Sequence, residues 1–254
     1  MTNIKLPKGK KVYFASDNHL GAPTMEESRQ RELKFVRWLD SVKSDAGAIF
    51  LMGDLFDFWF EYKTVVPKGF TRTLGKLAEL SDAGISIHYF VGNHDLWMDG
   101  YFEEELHIPV YHKPKQYSIN GVSFFIGHGD GLGPNDKGYK RMKKVFTNPF
   151  AKWLFKWLHP DIGVRLAQYF SVKNKLISGD DDAKFLGNDK EWLVQYAHRK
   201  LEQQHYDHFV FGHRHLPLEI KLTETSKYTN LGDWVNFYTY AEFDGTRLSL
   251  KKFN

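Results

Sequence analysis

Five times in this chain an apolar run of strand length ends in a small residue and then in aspartate, asparagine or histidine. The runs are VYFASDNH (12–19), IFLMGDLFD (49–57), HYFVGNHD (88–95), SFFIGHGD (123–130) and HFVFGHRH (208–215). A short apolar run bounded by glycine predicts a buried strand that delivers a polar side chain to its C-terminal edge. Five of them restrict the chain to folds whose strand ends converge on one place. The ends carry Asp17, His19, Asp54, Asn93, His94, Asp95, His128, Asp130, His213 and His215. Oxygen and imidazole donors of this kind suit hard or borderline divalent metals. The set reads as that of a two-metal hydrolase with Asp54 shared between the ions.

The segments between the runs predict an α/β chain. Thr24 and Glu27 have capping-box spacing and open a helix near 25–43, with Leu33, Val36, Leu39 and Val42 on its buried face. A strand at 48–52 follows, then a helix around 70–83 with Leu74, Leu77 and Leu80 inward and Gly84 as its stop, then a strand at 85–91. This alternation predicts crossover units in a largely parallel sheet. Asn120-Gly121 is a two-residue hairpin signal that changes the pairing to antiparallel. From 135 to about 204 the pattern is mainly helical. After the strand at 208–211, segments 218–222, 228–231, 235–243 and 247–251 read as short antiparallel strands.

At 254 residues the chain can bury one sizeable core, so a single domain spanning 1–254 with an insertion at about 135–204 is expected. It has no cysteine, which excludes disulfides, zinc-thiolate sites and a thiol nucleophile and agrees with a reducing cytoplasm. The N-terminal stretch lacks an apolar core of signal-peptide length, and no run of about 18 apolar residues occurs, so a soluble or peripheral protein is expected. Charge is unevenly placed. Residues 137–175 hold ten Lys or Arg and one acid, Asp161, a local net of +9 in a chain of net +4, so the remainder is net −5. A cationic segment on an acidic body points to an anionic partner.

Asp17 and His19 lie two apart, as do His213 and His215, and in extended backbone such pairs point the same way. The predicted grouping is Asp17, His19, Asp54 and His215 around one metal, with Asp54, Asn93, His128 and His213 around the other. Asp57 and Asp130 are expected behind the ligands, because a ligating imidazole needs an acceptor on its other nitrogen. His88, His107, His112, His159, His198, His205 and His208 fall outside the motifs and are read as structural.

Asp17-x-His19, Gly53-Asp54, Gly92-Asn93-His94-Asp95, Gly127-His128 and Gly212-His213-x-His215 together resemble the full motif set of the calcineurin-like metallophosphoesterases. The resemblance implies a sandwich of two mixed β-sheets flanked by helices, with a dinuclear site at the strand ends and the ligand division given above. It also implies catalytic roles for Asp54, His94 and Asp95. His94 would sit near the scissile phosphate, held by Asp95, and donate a proton or stabilise charge. Two ions about 3.5 to 4 Å apart would clamp the phosphoryl group while bridging hydroxide attacks phosphorus in line.

The substrate must be read from the insertion, where Tyr139, Met142, Val145, Phe146, Phe150, Trp153, Leu154, Phe155, Trp157 and Leu158 interleave with the basic residues. Basic and bulky apolar residues so arranged describe an interfacial amphipathic helix, suited to an anionic membrane surface and to acyl chains. Such residues can also grip single-stranded nucleic acid, but Trp and Leu at this density favour lipid, and no nucleic acid is expected. GDLFDFW (53–59), HGDGLGPNDKGY (128–139) and LGDW (231–234) resemble the UDP-2,3-diacylglucosamine diphosphatase family of lipid A biosynthesis. That resemblance implies a helical lid and cleavage of UDP-2,3-diacylglucosamine to UMP and 2,3-diacylglucosamine 1-phosphate, usually with manganese, at the cytoplasmic face of the inner membrane. It implies substrate contacts from Asp136 and Tyr139, and places Lys173, Asn174 and Lys175 with Asn93, His94 and His213 around the head group. The better-known branch of that family has Gly-Asn-Arg-Asp where this chain has Gly92-Asn93-His94-Asp95. Rival readings are a soluble nucleotide pyrophosphatase or phosphodiesterase, a metal-free scaffold, and a lipid- or nucleic-acid-binding protein with structural metals.

Overall fold

The computed structural model describes residues 1–133, 137–166, 169, 185, 187 and 189–254, with residue 137 described by its backbone alone. One sheet contains β2 (Lys11–Ala15), β3 (Ala46–Leu51), β4 (Ser86–Phe90) and β5 (Val110–Tyr111) in parallel, extended by β11 (Thr239–Phe243) and β12 (Leu248–Lys252), in the order β12-β11-β2-β3-β4-β5. The other contains β1 (Thr2–Ile4), β6 (Lys115–Ile119), β7 (Val122–Gly127), β8 (His208–Phe211), β9 (Pro217–Lys221) and β10 (Lys227–Leu231), in the order β1-β6-β7-β8-β10-β9. Each sheet mixes parallel and antiparallel pairs.

Aromatic residues fill the space between the sheets. Phe14 stacks on Phe50 at 5.1 Å, and Phe124 meets Phe243 edge-on at 5.0 Å. Burying a side chain of this size stabilises by about 1.5–3 kcal/mol, so this layer fixes how the two sets of strand ends face each other. The outer face of the first sheet is covered by α1 (Met25–Val42) and α2 (Thr71–Asp82), and that of the second by a helix at Trp192–Leu201. Between β7 and β8 the described residues also form α4 (Lys137–Phe146) and α5 (Pro149–Lys156); α3 is Tyr101–Glu105, and the helix at Trp192–Leu201 is α6. No described helix is long and apolar enough to cross a membrane.

The crossover units and the hairpin agree with expectation. Ile119 pairs with Val122 across Asn120 and Gly121, both at positive φ, as a primed two-residue turn requires. Four details differ. The buried face of α1 is centred on Phe35, Trp38 and Leu39, while Leu33 and Val36 are half-buried, because Trp38 and Phe35 pack on Trp234. Residues 235–238 do not extend β11 backwards: Asp233 accepts the amides of Val235, Asn236 and Phe237 and caps a turn there. β10 joins β8 in parallel, so the C-terminal strands are not all antiparallel. The short edge strands β1 and β5 carry too few residues for a period-2 pattern to register.

Candidate metal centre

Both sheets end on the same side of the molecule, and their last backbone groups interlock. Asp17 N donates to Gly53 O at 3.1 Å, His19 N to Asp54 O at 2.9 Å, Gly212 N to His128 O at 2.9 Å and Trp234 N to Asp17 O at 3.1 Å. Gly92 and Gly212 have no room for a side chain: a Cβ at Gly92 would run into Asp54, and one at Gly212 into Ser16 and Asp17. The strand ends can approach this closely only as glycine.

The Asp-x-His and His-x-His pairs do converge, but not through extended backbone. Asp17, His19, Asp54, His213 and His215 have φ of 59°, 45°, 53°, 69° and 50°. Left-handed backbone costs a non-glycine residue about 1–2 kcal/mol and persists only where the surroundings hold it, which is characteristic of functional sites.

The side chains form two adjoining clusters that share Asp54. In one, Asp17 Oδ1 lies 3.9 Å from His19 Nε2 and 3.5 Å from His215 Nε2, the two Nε2 atoms are 3.2 Å apart, and His19 Nε2 is 3.7 Å from Asp54 Oδ2. In the other, His128 Nε2 is 3.4 Å from Asp54 Oδ2 and 3.2 Å from Asn93 Oδ1, with His213 in the same group. A ring nitrogen of His94 comes within 4.8 Å of donors on His19 and Asp54. The structure thus brings together all seven predicted ligands.

Two observations fit these donors to divalent cations. The outer ring nitrogens are held by acceptors: His19 Nδ1 by Asp57 Oδ1 at 3.2 Å, His215 Nδ1 by Asp233 Oδ2 at 3.2 Å and His128 Nδ1 by Met52 O at 2.7 Å. This arrangement turns each Nε2 lone pair inward, as metal-binding histidines require. Secondly, Asp17 Oδ1 is buried without a hydrogen-bond partner among the described residues, a costly state for a carboxylate that faces no cation.

Electrostatics agree. Burial alone would raise the Asp54 carboxyl, yet the adjoining His128 and His94 hold it well below the usual carboxylate range. Burial would lower His128, but Asp54 and Asp17 push it up to about 10. Desolvation, helped by His128, takes His213 down to about 3. The protein alone therefore places positive charge, as a proton on His128, where a cation would bind.

Asp95 has a different part from the one expected. Its carboxylate accepts Leu55 N at 3.1 Å, Gly92 N at 2.7 Å and the hydroxyl of Tyr89, and does not hold His94. His94 is instead held by Asp57, with Nδ1 3.0 Å from the Asp57 carbonyl and 3.6 Å from its carboxylate. Asp95 fixes the backbone of the β4 loop, since its reach matches amides rather than the neighbouring ring. Asp233 supports the site without having been assigned a role from sequence, although Leu231-Gly232-Asp233 repeats the strand-glycine-aspartate signal of Gly53-Asp54. Tyr139 lies beside the site with its hydroxyl 2.5 Å from Asp130 Oδ2, and Lys143 pairs with the same oxygen. Asp136, Lys173, Asn174 and Lys175 lie outside the described residues. A cavity of about 440 Å³ opens beside His128, and its lining includes Phe90, Val91 and Leu132 together with Lys140, Lys143 and Lys144.

The UDP-2,3-diacylglucosamine hydrolase of Porphyromonas gingivalis (strain ATCC BAA-308 / W83) is 38% identical over 255 residues, covering 95% of this chain and 97% of that protein. The UDP-2,3-diacylglucosamine hydrolase of Shewanella sp. (strain MR-4) is 26% identical over 224 residues, 88% and 90% of the two chains. Among solved structures, Yfce, a phosphoesterase from E. coli, aligns with a TM-score of 0.47 at 17% identity over 96% of this chain and 93% of that one. Residues 10–217 match the family described as calcineurin-like phosphoesterase. The strand ends that carry the seven gathered side chains all lie within that match, and the chain belongs to the calcineurin-like phosphoesterases, a family that works with divalent metals.

Proposed function

We infer that this chain is a UDP-2,3-diacylglucosamine hydrolase, which adds water across the pyrophosphate of UDP-2,3-diacylglucosamine to give UMP and 2,3-diacylglucosamine 1-phosphate. The observation that carries this reading is the 38% identity to the P. gingivalis hydrolase over nearly the whole of both chains. The cofactor is two divalent ions, assigned here as manganese. Asp17, His19, Asp54 and His215 would hold one ion, and Asp54, Asn93, His128 and His213 the other. Bound there, the ions supply a water acidic enough to attack near neutral pH and shield charge on the phosphoryl oxygens. His94 is the residue left to manage protons: with Nδ1 fixed by Asp57, its Nε2 can give a proton to the departing phosphate or stabilise it as a cation. Asn93, His94, Asp136, Tyr139, Lys173, Asn174, Lys175 and His213 are proposed to surround the head group.

The insertion at about 135–204 is proposed as a lid within a single domain and as the contact with the cytoplasmic face of the inner membrane. Supporting this, Phe150, Trp153 and Leu154 of α5 and Trp157 just after it are at least half exposed, at 64%, 51%, 50% and 74%, and the same stretch of sequence carries Lys143, Lys144, Lys152 and Lys156. Apolar and cationic residues together favour an anionic bilayer.

The test uses metal-free protein to which manganese is added, with UDP-diacylglucosamine and bis(p-nitrophenyl) phosphate offered separately. UMP release is expected. Turnover of the diester alone would contradict the lipid substrate and favour a soluble nucleotide.

A further inference from the structure

His213 differs from the other three ring ligands. His19, His128 and His215 each have an acceptor behind Nδ1, but no hydrogen bond reaches the His213 ring among the described residues. It meets instead the face or edge of Trp192, 5.7 Å away between ring centres at 74°. Trp192 opens α6, where the segment after β7 returns to the second sheet. The next residue along the histidine loop, Arg214, is also tied to that point. Its Nε and one terminal nitrogen reach the two oxygens of Glu191 at 3.0 and 3.1 Å, a two-pronged pair that is buried on both sides. Arg214 sits between two left-handed residues, His213 and His215; Asp17 and Asn230 hold the inner end of the loop, and the Glu191 pair holds its outer side.

We propose that Arg214, pinned by Glu191, is a positioning residue for His213, so that the cation half-site of Asp54, His128 and His213 depends on the seating of the α6 root. The inference rests on the metal reading above. Three features point the same way. His215 has its own carboxylate, Asp233, behind its ring, whereas His213 is held only at its backbone, by Asp17 Oδ2 at 2.9 Å, and has no acceptor behind its ring among the described residues. The Arg214 fork is specific, since a lysine would keep the charge but lose the two-pronged geometry. The loop that carries the other imidazole of this half-site also meets the chain that follows β7: Asp130, two residues after His128, holds Tyr139 and Lys143 of α4.

The experiment is stepwise addition of Mn²⁺ to metal-free wild-type, R214K and E191Q protein, followed by calorimetry and electron paramagnetic resonance. Wild type is expected to take two ions and show a spin-coupled pair. Both variants should bind the first ion as wild type does, bind the second about 10–100-fold more weakly, the usual effect of disturbing a group behind a ligand, and show isolated Mn²⁺ at two equivalents. In an H213A background R214K should add no further loss, because the two act on one ligand. Equal weakening of both ions, no weakening in either variant, or an additive loss with H213A would overturn the proposal. If E191Q fails to fold because it strands a buried guanidinium, R214K carries the test. None of these readouts uses a substrate, so failure to cleave UDP-diacylglucosamine leaves the result intact; binding of fewer than two ions by wild type would overturn both this proposal and the two-metal reading.

Discussion

The strand-end loops and helix α5 invert the ordinary distribution of residues in opposite senses. In the loops, Asp17, His19, Asp54 and His128 are almost completely buried, while Phe150 and Trp153 of α5 and Trp157 just after it stand in solvent. Buried charge and exposed aromatic surface are each unfavourable, and each signals a missing partner. For the loops the partner we propose is a cation, since the donors face one another and one Asp17 oxygen is buried without a hydrogen bond among the described residues. For α5 the partner we propose is an apolar phase. Rigidity differs in the same way. The loops are locked by glycine contacts and left-handed backbone, whereas α5 meets the body through Phe155, which packs on Phe60 at 4.6 Å and Trp97 at 4.7 Å, and through Lys156, which pairs with Asp99 at 2.9 Å.

The sharpest way to break this contrast is at the shared carboxylate. Asp54→Ala should lower turnover of any phosphoester by roughly 10³-fold or more while the circular dichroism spectrum stays native. Near-normal turnover would mean that Asp54 is not shared. Next in size, exchanging Trp153 and Trp157 together for Ser should lower turnover of vesicle-borne UDP-diacylglucosamine by about tenfold and move stability by less than about 0.5 kcal/mol, as expected for exposed positions. Turnover of bis(p-nitrophenyl) phosphate should be unchanged, and a matching loss on that soluble diester would place these tryptophans in the site rather than at a surface.

Away from both regions, His88 and His208 lie in the inter-sheet layer, where burial lowers each to about 4. The sign follows: the folded state binds these protons less readily than the unfolded chain, whose histidines titrate near 6.5. Their contribution is therefore complete above about 6.5 and lost as pH falls toward 4, by roughly 1–3 kcal/mol for each. Denaturant midpoints should drop over that window, and less so in His88→Phe, which keeps the stacking on Phe50 at 4.6 Å. The smallest effect is a proton count. With His128 raised to about 10, metal-free protein at neutral pH holds a proton that a cation must displace. Calorimetry in buffers of different ionisation enthalpy should show release of about one proton per protein on manganese binding. Binding should tighten as pH rises toward that value; no release would place the cations away from His128.

The fold was legible because the five apolar runs and the Asn120-Gly121 turn are local signals. Strand ends and the hairpin need only neighbouring residues to be specified. What escaped depends on contacts distant in sequence. The rotation of α1 is decided by Trp234, almost two hundred residues away, and the turn at 235–238 by Asp233 accepting three amides in place of a strand ladder. At the site, residue types and their order pointed to the seven gathered side chains, but spacing misled about geometry. The i, i+2 argument assumes extended backbone, and these pairs use left-handed residues instead. Adjacency suggested Asp95 as the partner of His94; the carboxylate turns to amides of its own loop, and Asp57, thirty-seven positions away, takes its place. Arg214 and Glu191 carry no motif, since only the fold makes them neighbours.

The claim on which the rest depends is that two cations share Asp54. Crystals of the metal-free protein soaked in manganese and measured at an anomalous wavelength address it directly. The account predicts two peaks about 3.5–4 Å apart, one beside Asp17, His19 and His215, the other beside Asn93, His128 and His213, with Asp54 Oδ2 between them. A single peak, or two that leave Asp54 uncoordinated, would contradict it.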